Sequence, residues 1–419
     1  MSRKKLLCVL LPLLISTVTE LASAISLPLQ PASGLYDGGV FTVEIGLGTP
    51  IQKQTLLVDT GSGSTLVFSA ASNQCRVSNY GCGGGYNPVA SMTSERKIGR
   101  SRKMEMGQVT FGFANVSATA SGTVVRDIVY LERPELVEFA MLEHALLDFD
   151  VEGVLGLGMS TAQTQHHPTP ILSTLSTLNH NGRTEYRNLF GLYFGSRRKN
   201  GLDSLDGQVF IPSLDLGVID SEKLLSHDDL HFIPCSSPNE FQLVLSNIDL
   251  ILANKARVPI LNSCSRSSHS CSQSVPDVDP LSVTIDSGSP NIVLPDHIAH
   301  RLATAISPSA IFDGSLPGFR VPCTLSLSLN SVEFSFMPTS ASVAVNVTVA
   351  VPELLRSLAN SPATCLLDIV PSSAYNNLVP AILGTAFLSS AYTIFDLDSH
   401  QIAFAVPPYY PVAYPHLSA

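Results

Sequence analysis

The sequence predicts an all-β protein made of two similar lobes. Three observations support this prediction: the composition, the turn residues between short apolar segments, and a motif that occurs twice. Of the 419 residues, 45% are hydrophobic and 14% are charged, while glycine and proline number 28 each. A chain of this length can bury two cores, and many turn residues between β-branched runs favour strands over helices.

Short segments with the pattern of strands recur along the chain. Residues 41–45 alternate apolar and polar side chains, and residues 123–129 are rich in valine and isoleucine. Both patterns are typical of strands. Helical signals are few, and the best of them covers residues 295–303.

A six-residue motif occurs twice and organises the chain into two halves. Leu57–Ser62 reads LVDTGS, and Thr284–Ser289 reads TIDSGS. Two apolar residues and a glycine follow each copy, so that Gly156 and Gly384 lie 97 and 98 positions after the two aspartates. A single Asp-Thr-Gly is an ordinary turn sequence. The duplication of both elements at nearly equal spacing indicates two lobes of the same design.

Asp59 and Asp286 are the candidate catalytic residues because each lies at the same place in its copy of the motif. Two carboxyl groups held close together cannot both ionise easily, so they share a proton and their pKa values separate. One member can then take a proton from water while the other polarises a carbonyl group. The pair titrates jointly, and the sequence leaves open which aspartate holds the proton. This chemistry requires no metal and no cofactor.

The residues that follow the two aspartates are expected to support them. Hydroxyl groups can bond the carboxylates or brace the two loops against each other, and glycine permits a close approach that a Cβ would prevent. The supporting residues are Thr60, Gly61, Ser62, Ser287, Gly288 and Ser289.

Further segments resemble the pepsin family of aspartic endopeptidases, and the resemblance extends from about Tyr36 to Ala405. Residues 153–158 read GVLGLG, where the family has Gly-Ile-Leu-Gly-Leu-Gly. The other matching segments are residues 47–52, 86–88, 91–93, 217–220 and 382–396. The resemblance implies a bilobed all-β fold with an active cleft between two pseudo-symmetric lobes. It also implies cleavage of peptide bonds in extended polypeptides, which bind as an added strand, at acidic pH.

The sequence departs from the family pattern beside the candidate pair. Gly63 and Pro290 stand where the family usually has hydroxyl residues, and Leu66 stands where tryptophan is usual. The flap, a hairpin that carries a tyrosine in the family, is best matched here by Phe111-Gly112. These changes keep open an alternative function, that of a catalytically weak or inactive pepsin-like secreted binding protein.

The N-terminus predicts entry into the secretory pathway. Three basic residues precede the apolar run Leu6–Ile15, and Ala22-Ser23-Ala24 has the form of a signal-peptide cleavage site. No stable membrane anchor is expected, and the mature protein is expected outside the cell or in an acidic compartment such as a lysosome or vacuole. The expected division is a signal peptide at 1–24, a short extension at 25–35, an N-terminal lobe at 36–215, a C-terminal lobe at 216–410 and a tail at 411–419.

The cysteines also fit an oxidising compartment. Cys8 would be removed with the signal peptide, which leaves seven, and Cys235 is then expected to be unpaired. The spacing favours three disulfides, Cys75–Cys82, Cys264–Cys271 and Cys323–Cys365, and a zinc site is disfavoured because no Cys-x-x-Cys occurs. Asn115 and Asn346 begin candidate glycosylation sites.

The charge of the chain narrows the choice of partners. A net charge of −10 argues against nucleic acid or an anionic membrane as the main partner. Polypeptide substrates are the expected partners. A monomer is expected, because two lobes in one chain already complete the cleft.

Overall fold

The computed structural model of the protein describes a set of ranges between residues 25 and 408. Within some strands, among them residues 109–121, it describes the backbone alone. The described ranges are 25–32, 39–72, 75, 82–96, 109–113, 116–131, 134–144, 151–159, 168, 170–177, 179–180, 183–184, 187–197, 203–205, 208–226, 230–262, 280–336, 344–358, 361–377 and 379–408. The predicted signal peptide, Asn115, the predicted Cys264–Cys271 pair and the predicted tail lie outside the described residues.

The described part of the chain is mostly strand, as the sequence predicted. The strands of the first half are β1 Ile25–Pro31, β2 Phe41–Leu47, β3 Gln52–Asp59, β4 Leu66–Phe68, β5 Glu95–Arg96, β6 Val109–Phe113, β7 Val116–Tyr130, β8 Pro134–His144, β9 Gly153–Gly156, β10 Asn179–His180, β11 Arg183–Thr184, β12 Leu189–Tyr193, β13 Asp203–Leu205, β14 Gln208–Phe210 and β15 Ser213–Leu216. Those of the second half are β16 His231–Pro234, β17 Gln242–Ile251, β18 Arg257–Asn262, β19 Leu281–Ile285, β20 Ile292–Leu294, β21 Ile311–Asp313, β22 Gly318–Pro322, β23 Ser331–Phe336, β24 Val345–Ala350, β25 Leu355–Leu358, β26 Ser361–Leu367, β27 Ile369–Pro371, β28 Ala381–Leu383, β29 Tyr392–Asp396 and β30 Gln401–Ala405.

Helices are short and few among the described residues. They are α1 Ile171–Thr177, α2 Asp296–Ile306 and α3 Thr385–Leu388. The predicted helix near residues 295–303 is confirmed as α2, which begins directly after Pro295. Proline fits there because its fixed φ and missing N–H cost nothing before the first helical turn. The helix packs one apolar face, which includes Ile298 and Leu302, against the second lobe.

The predicted bilobed all-β fold is confirmed, and strands from both halves of the chain meet in one sheet. The order β16-β30-β29-β12-β15-β1 runs through this sheet, so three strands of the second half lie beside three of the first. The junction is the antiparallel pair β12–β29, in which Phe190 lies opposite Phe395. These two rings stack with centroids 4.7 Å apart. The lobes are therefore joined by backbone hydrogen bonds and by aromatic packing.

Each lobe repeats the same three-strand arrangement around its copy of the motif. In the first lobe, β9 pairs in parallel with β3 and antiparallel with β4. In the second lobe, β28 pairs in parallel with β19 and antiparallel with β20. Asp59 lies opposite Gly156 in this register. The spacing of 97 and 98 residues in the sequence is therefore the separation of two strands that pair beside each aspartate.

Two of the predicted cysteine pairs are disulfides in the structure, Cys75–Cys82 and Cys323–Cys365. Cys235 is a free thiol and is partly buried. Burial raises the pKa of this thiol to about 12. Cys235 therefore remains protonated at physiological pH, and a protonated thiol is a poor nucleophile.

Candidate active site

The two candidate aspartates lie at the ends of two buried strands, one from each lobe. Asp59 is the last residue of β3, and Asp286 follows the last residue of β19 directly. The residues that lead into them, among them Val58 and Ile285, are fully buried. Because buried strands are rigid, they fix the backbone from which each carboxyl group projects. Asp59 is buried, and Asp286 is partly exposed.

The two loops hold each other through four hydrogen bonds that cross between the lobes. The Thr60 hydroxyl donates to the Ile285 carbonyl at 2.8 Å and accepts from the Ser287 amide at 2.9 Å. In the same way, the Ser287 hydroxyl donates to the Val58 carbonyl at 2.8 Å and accepts from the Thr60 amide at 3.0 Å. All four bonds are buried. The bracing role expected of these two hydroxyl residues is therefore reciprocal.

The glycines of the two motifs also face across the lobes. A Cβ on Gly61 would lie 2.7 Å from an oxygen of Asp286, and a Cβ on Gly288 would lie 2.6 Å from an oxygen of Asp59. Both separations are shorter than a carbon–oxygen contact allows. The absence of a side chain at these positions therefore lets the carboxyl groups approach each other.

The two carboxyl groups receive different hydrogen bonds. Asp59 accepts from the Gly61 amide at 2.8 Å and from the Ser62 hydroxyl at 2.5 Å. Asp286 accepts from the Gly288 amide at 2.8 Å. Within the described part of the chain, the Ser289 hydroxyl does not donate to Asp286. The first carboxylate is therefore better stabilised as an anion than the second.

These environments shift the two pKa values by different amounts. Burial raises the pKa of the Asp59 carboxyl, although the donors Ser62 and Gly61 partly offset the rise. Burial raises the pKa of Asp286 well above its usual range, and the adjacent negative charge of Asp59 raises it further. At a pH where the pair carries one negative charge, the geometry favours the charge on Asp59 and the proton on Asp286.

The residues that depart from the family pattern fit closely into the structure. A Cβ on Gly63 would lie 2.6 Å from the Met159 carbonyl oxygen, so a serine would not fit there. Leu66, at the position where tryptophan is usual, is a fully buried residue of β4. Pro290 is buried, and its carbonyl accepts from the Ala386 amide at 3.2 Å. Both loops are therefore packed closely despite the unusual residues.

The predicted flap residues lie on a β-hairpin. Phe111 and Gly112 belong to β6, and Phe111 lies opposite Ala118 of β7 in the hairpin register. The side chains of residues 109–121, Phe111 among them, lie outside the described part of the structure. Asn346, the second candidate glycosylation residue, is exposed on β24.

Sequence reasoning missed a polar pair behind the second loop. The Asn291 amide donates to the Tyr375 hydroxyl at 3.2 Å, and both residues are buried. Asn291 directly precedes β20, as Thr65 directly precedes β4. A polar residue at an otherwise apolar position was the available signal, but its partner is 84 residues away in the sequence.

No group of three or more potential metal ligands occurs among the described residues. No helix in the described ranges has both the length and the hydropathy required to cross a membrane.

Comparison with known proteins agrees with this geometry. A family profile described as eukaryotic aspartyl protease matches residues 40–406, which include both motifs. The chain belongs to the eukaryotic aspartyl protease family. The resemblance to pepsin-like enzymes in the sequence is thereby confirmed.

Three relatives share about a quarter of their residues with this chain. It is 26% identical to the probable aspartic-type endopeptidase opsB of Aspergillus oryzae over 378 residues, which cover 87% of this chain and 68% of the relative. It is 26% identical to secreted aspartic protease 3 of Candida albicans, with 88% and 80% of the two chains covered. It is 24% identical to aspartic proteinase yapsin-3 of Saccharomyces cerevisiae, with 88% and 66% covered.

Proposed function

We propose that this aspartyl protease is an active endopeptidase that uses Asp59 and Asp286 to hydrolyse peptide bonds. The observation that carries the proposal is the reciprocal hydrogen bonding of the two loops, which holds two intact carboxyl groups at one place. Family membership and the endopeptidase names of several relatives support it. The expected division into lobes at 36–215 and 216–410 is part of the same proposal.

The proposed reaction needs only water and the two carboxyl groups. Asp59, as the anion, takes a proton from a water molecule whose oxygen attacks the peptide carbonyl carbon. Asp286 gives its proton to the carbonyl oxygen, which yields a neutral tetrahedral diol. Asp59 then gives its proton to the amide nitrogen, the carbon–nitrogen bond breaks, and one diol hydroxyl returns its proton to Asp286.

The unequal hydrogen bonds support this division of roles. The Ser62 hydroxyl and the Gly61 amide stabilise the charged base, Asp59. The carboxyl of Asp286, which has fewer donors, favours the protonated form that an acid requires. Each residue therefore starts the reaction in the protonation state that its environment favours.

The proposed substrates are unfolded or extended polypeptides. An extended chain can bind between the lobes as an added strand, mainly through its main-chain groups. The hairpin β6–β7 is the proposed flap, and Phe111 and Gly112 are proposed to contact substrate. The carboxyl pair needs one proton to work, so we place the activity at acidic pH, in a protein that follows the secretory pathway.

The test is hydrolysis of a denatured protein by the purified chain between pH 3 and 7. The wild type is expected to cleave it at acidic pH and to be inhibited by a pepstatin-type mimic of the tetrahedral state. Asp59→Ala, purified in the same way, is expected to show no cleavage. If the two proteins behave alike at every pH, the protease proposal is wrong and the binding-protein alternative gains support.

A further inference from the structure

Two buried carboxylates and two largely buried arginines form a cluster that joins the two lobes. Arg197 comes shortly after β12, in the first half of the chain, whereas Glu353, Arg356 and Asp368 belong to the second half. Asp368 and Glu353 have no exposed surface, and the side chains of Arg197 and Arg356 are 5% and 10% exposed. Two positive and two negative charges make the cluster neutral.

Both arginines bind the carboxylate of Asp368. Arg197 donates to one oxygen at 2.6 Å, and Arg356 donates to the other through two nitrogens at 3.0 and 3.1 Å. A carboxylate held at both oxygens by planar guanidinium groups has a fixed position and orientation.

Glu353 completes the link to the first half of the chain. Its carboxylate accepts from the Ser196 hydroxyl at 2.7 Å and from the Arg197 amide at 2.9 Å. Its carbonyl accepts from the Arg197 guanidinium at 3.1 Å. Arg197 is thus bound through both its backbone and its side chain to residues more than 150 positions later in the chain.

Stability alone does not account for such a cluster. Desolvation of buried ions costs about as much free energy as their attraction returns, and apolar residues of similar size are often as stabilising. The gain from a buried ion network is therefore one of fixed geometry.

Asp368 is connected to the loop of Asp286 through the backbone. Its carbonyl accepts from the Ile292 amide at 2.9 Å, and Ile292 is the first residue of β20, six positions after Asp286. The next residue, Ile369, pairs directly with Ile292 in the parallel register of β27 and β20. The side chain of Asp368 is thus fixed by Arg197 while its backbone supports the strand that leaves the second loop.

We propose that Arg197 is a positioning residue for peptide hydrolysis, which fixes the Asp286 loop relative to the first lobe through Asp368 and Glu353. This inference rests on the proposed endopeptidase activity. It assigns to the cluster a role in the separation of the two carboxyl groups and no contact with substrate.

The experiment compares the wild type with Arg197→Met, Arg197→Lys and Asp368→Asn. Loss of the Arg197 guanidinium lets the two loops shift relative to each other. The kcat of Arg197→Met is therefore expected to fall at least about tenfold, while KM changes less than about twofold. The coupling between the carboxyl groups weakens as they separate, so the bell-shaped pH profile of kcat/KM is expected to become narrower. Arg197→Lys keeps the positive charge but loses the planar guanidinium group. Its kcat is expected to lie between the values of the wild type and Arg197→Met.

The matched control is Arg257→Met, which removes an exposed arginine that pairs with Glu333 and Asp249 in the same half of the chain. Its kcat, its KM and its pH profile are expected to match those of the wild type. Circular dichroism and thermal unfolding identify the variants that fold. If Arg197→Met does not fold, Arg197→Lys and Asp368→Asn still provide the test. Folded variants with a lower melting temperature but an unchanged kcat and pH profile would overturn this inference and leave the proposed function intact. A wild type without activity at any pH would instead remove the proposed function, and the inference with it.

Discussion

The loops of Asp59 and Asp286 share a backbone plan but differ in their side-chain contacts. In both, an aspartate ends a buried strand, an amide two residues later donates to its carboxylate, and a small hydroxyl residue binds the opposite loop. The difference lies three residues after each aspartate, where Ser62 donates to Asp59 and Ser289 has no equivalent bond among the described residues. The shared plan sets the geometry of the site, and this difference favours the negative charge on Asp59.

The surroundings of the two loops differ in a second way. The chain enters β4 seven residues after Asp59 but enters β20 six residues after Asp286. The first loop uses its extra length to pass Gly63 close to the Met159 carbonyl, whereas the second contains the rigid ring of Pro290. Pseudo-symmetry in the backbone is therefore compatible with two carboxyl groups of different acidity.

The strongest test of the comparison is the removal of one ionisable group at a time. Asp59→Asn and Asp286→Asn are each expected to lower kcat by at least about a thousandfold, because one removes the base and the other removes the acid. Steady-state hydrolysis of a fluorogenic peptide at acidic pH measures this. Asp398→Asn, at an exposed position, is the control. A near wild-type kcat in Asp59→Asn or Asp286→Asn would show that the roles of base and acid are misassigned.

The shared arrangement of the two loops can be tested by removal of the hydroxyl groups whose hydrogen bonds cross between the lobes. Thr60→Val removes the hydrogen bonds of the Thr60 hydroxyl to the Ile285 carbonyl and from the Ser287 amide. Ser287→Ala removes those of the Ser287 hydroxyl to the Val58 carbonyl and from the Thr60 amide. Each variant is expected to lower the free energy of unfolding by about 2–4 kcal/mol. Urea denaturation measures the loss.

Thr65→Val is a matched control for these variants. Thr65 is a buried threonine of the same loop whose hydroxyl has no hydrogen-bond partner within the described residues. Its replacement is expected to leave the free energy of unfolding nearly unchanged. A large difference between the losses of Thr60→Val and Ser287→Ala would contradict the reciprocal bracing.

The difference in acidity predicts how stability depends on pH. The pKa of Asp286 is higher in the folded state than in the unfolded chain, where it is about 3.9. The folded state then binds more protons between these two values, so this group lowers stability as the pH rises. Asp286→Asn is expected to raise the free energy of unfolding at pH 7 by at least about 1 kcal/mol and to have little effect below about pH 3.5. Asp59→Asn is expected to show a smaller gain, and a gain at pH 3 as large as that at pH 7 would refute the assignment.

The smallest expected effect is a shift in the pH profile on removal of the Ser62 hydroxyl, compared with removal of the Ser289 hydroxyl. Loss of the Ser62 hydroxyl destabilises the Asp59 anion and raises its pKa. In Ser62→Ala the acid limb of the kcat/KM profile is therefore expected to move to higher pH by about 0.5–1 unit. Ser289→Ala serves as the paired control and is expected to leave that limb in place. Equal shifts in both variants would mean that the two carboxyl groups are equally supported.

The sequence alone was sufficient to predict the fold class and the resemblance to the family. The repeat at 97 and 98 residues predicted two similar lobes, because strands that pair beside the same turn keep a constant separation in both copies. The helix after Pro295 was also predicted, since proline and an amphipathic pattern are local signals. The catalytic roles of Asp59 and Asp286 remain predictions that the variants above test.

Contacts between distant residues could not be predicted in this way. The cluster around Asp368 joins residues of the two halves of the chain, and no local pattern marks Arg197 as the partner of Asp368. The unequal bonding of Ser62 and Ser289 was equally hidden, because both copies of the motif place a serine at that position. Such differences depend on the hydroxyl direction that tertiary packing selects.

The reciprocal bonds of Thr60 and Ser287 also determine how the chain can be divided. If one half were produced alone, the hydroxyl and amide of its loop would face water, and its aspartate would lose the burial that sets its acidity. The two halves would therefore regain a working loop pair only when they reassemble. Chimeras that combine one lobe of this protein with the other lobe of a relative should require a small hydroxyl residue at the position of Thr60 or Ser287 in the incoming loop.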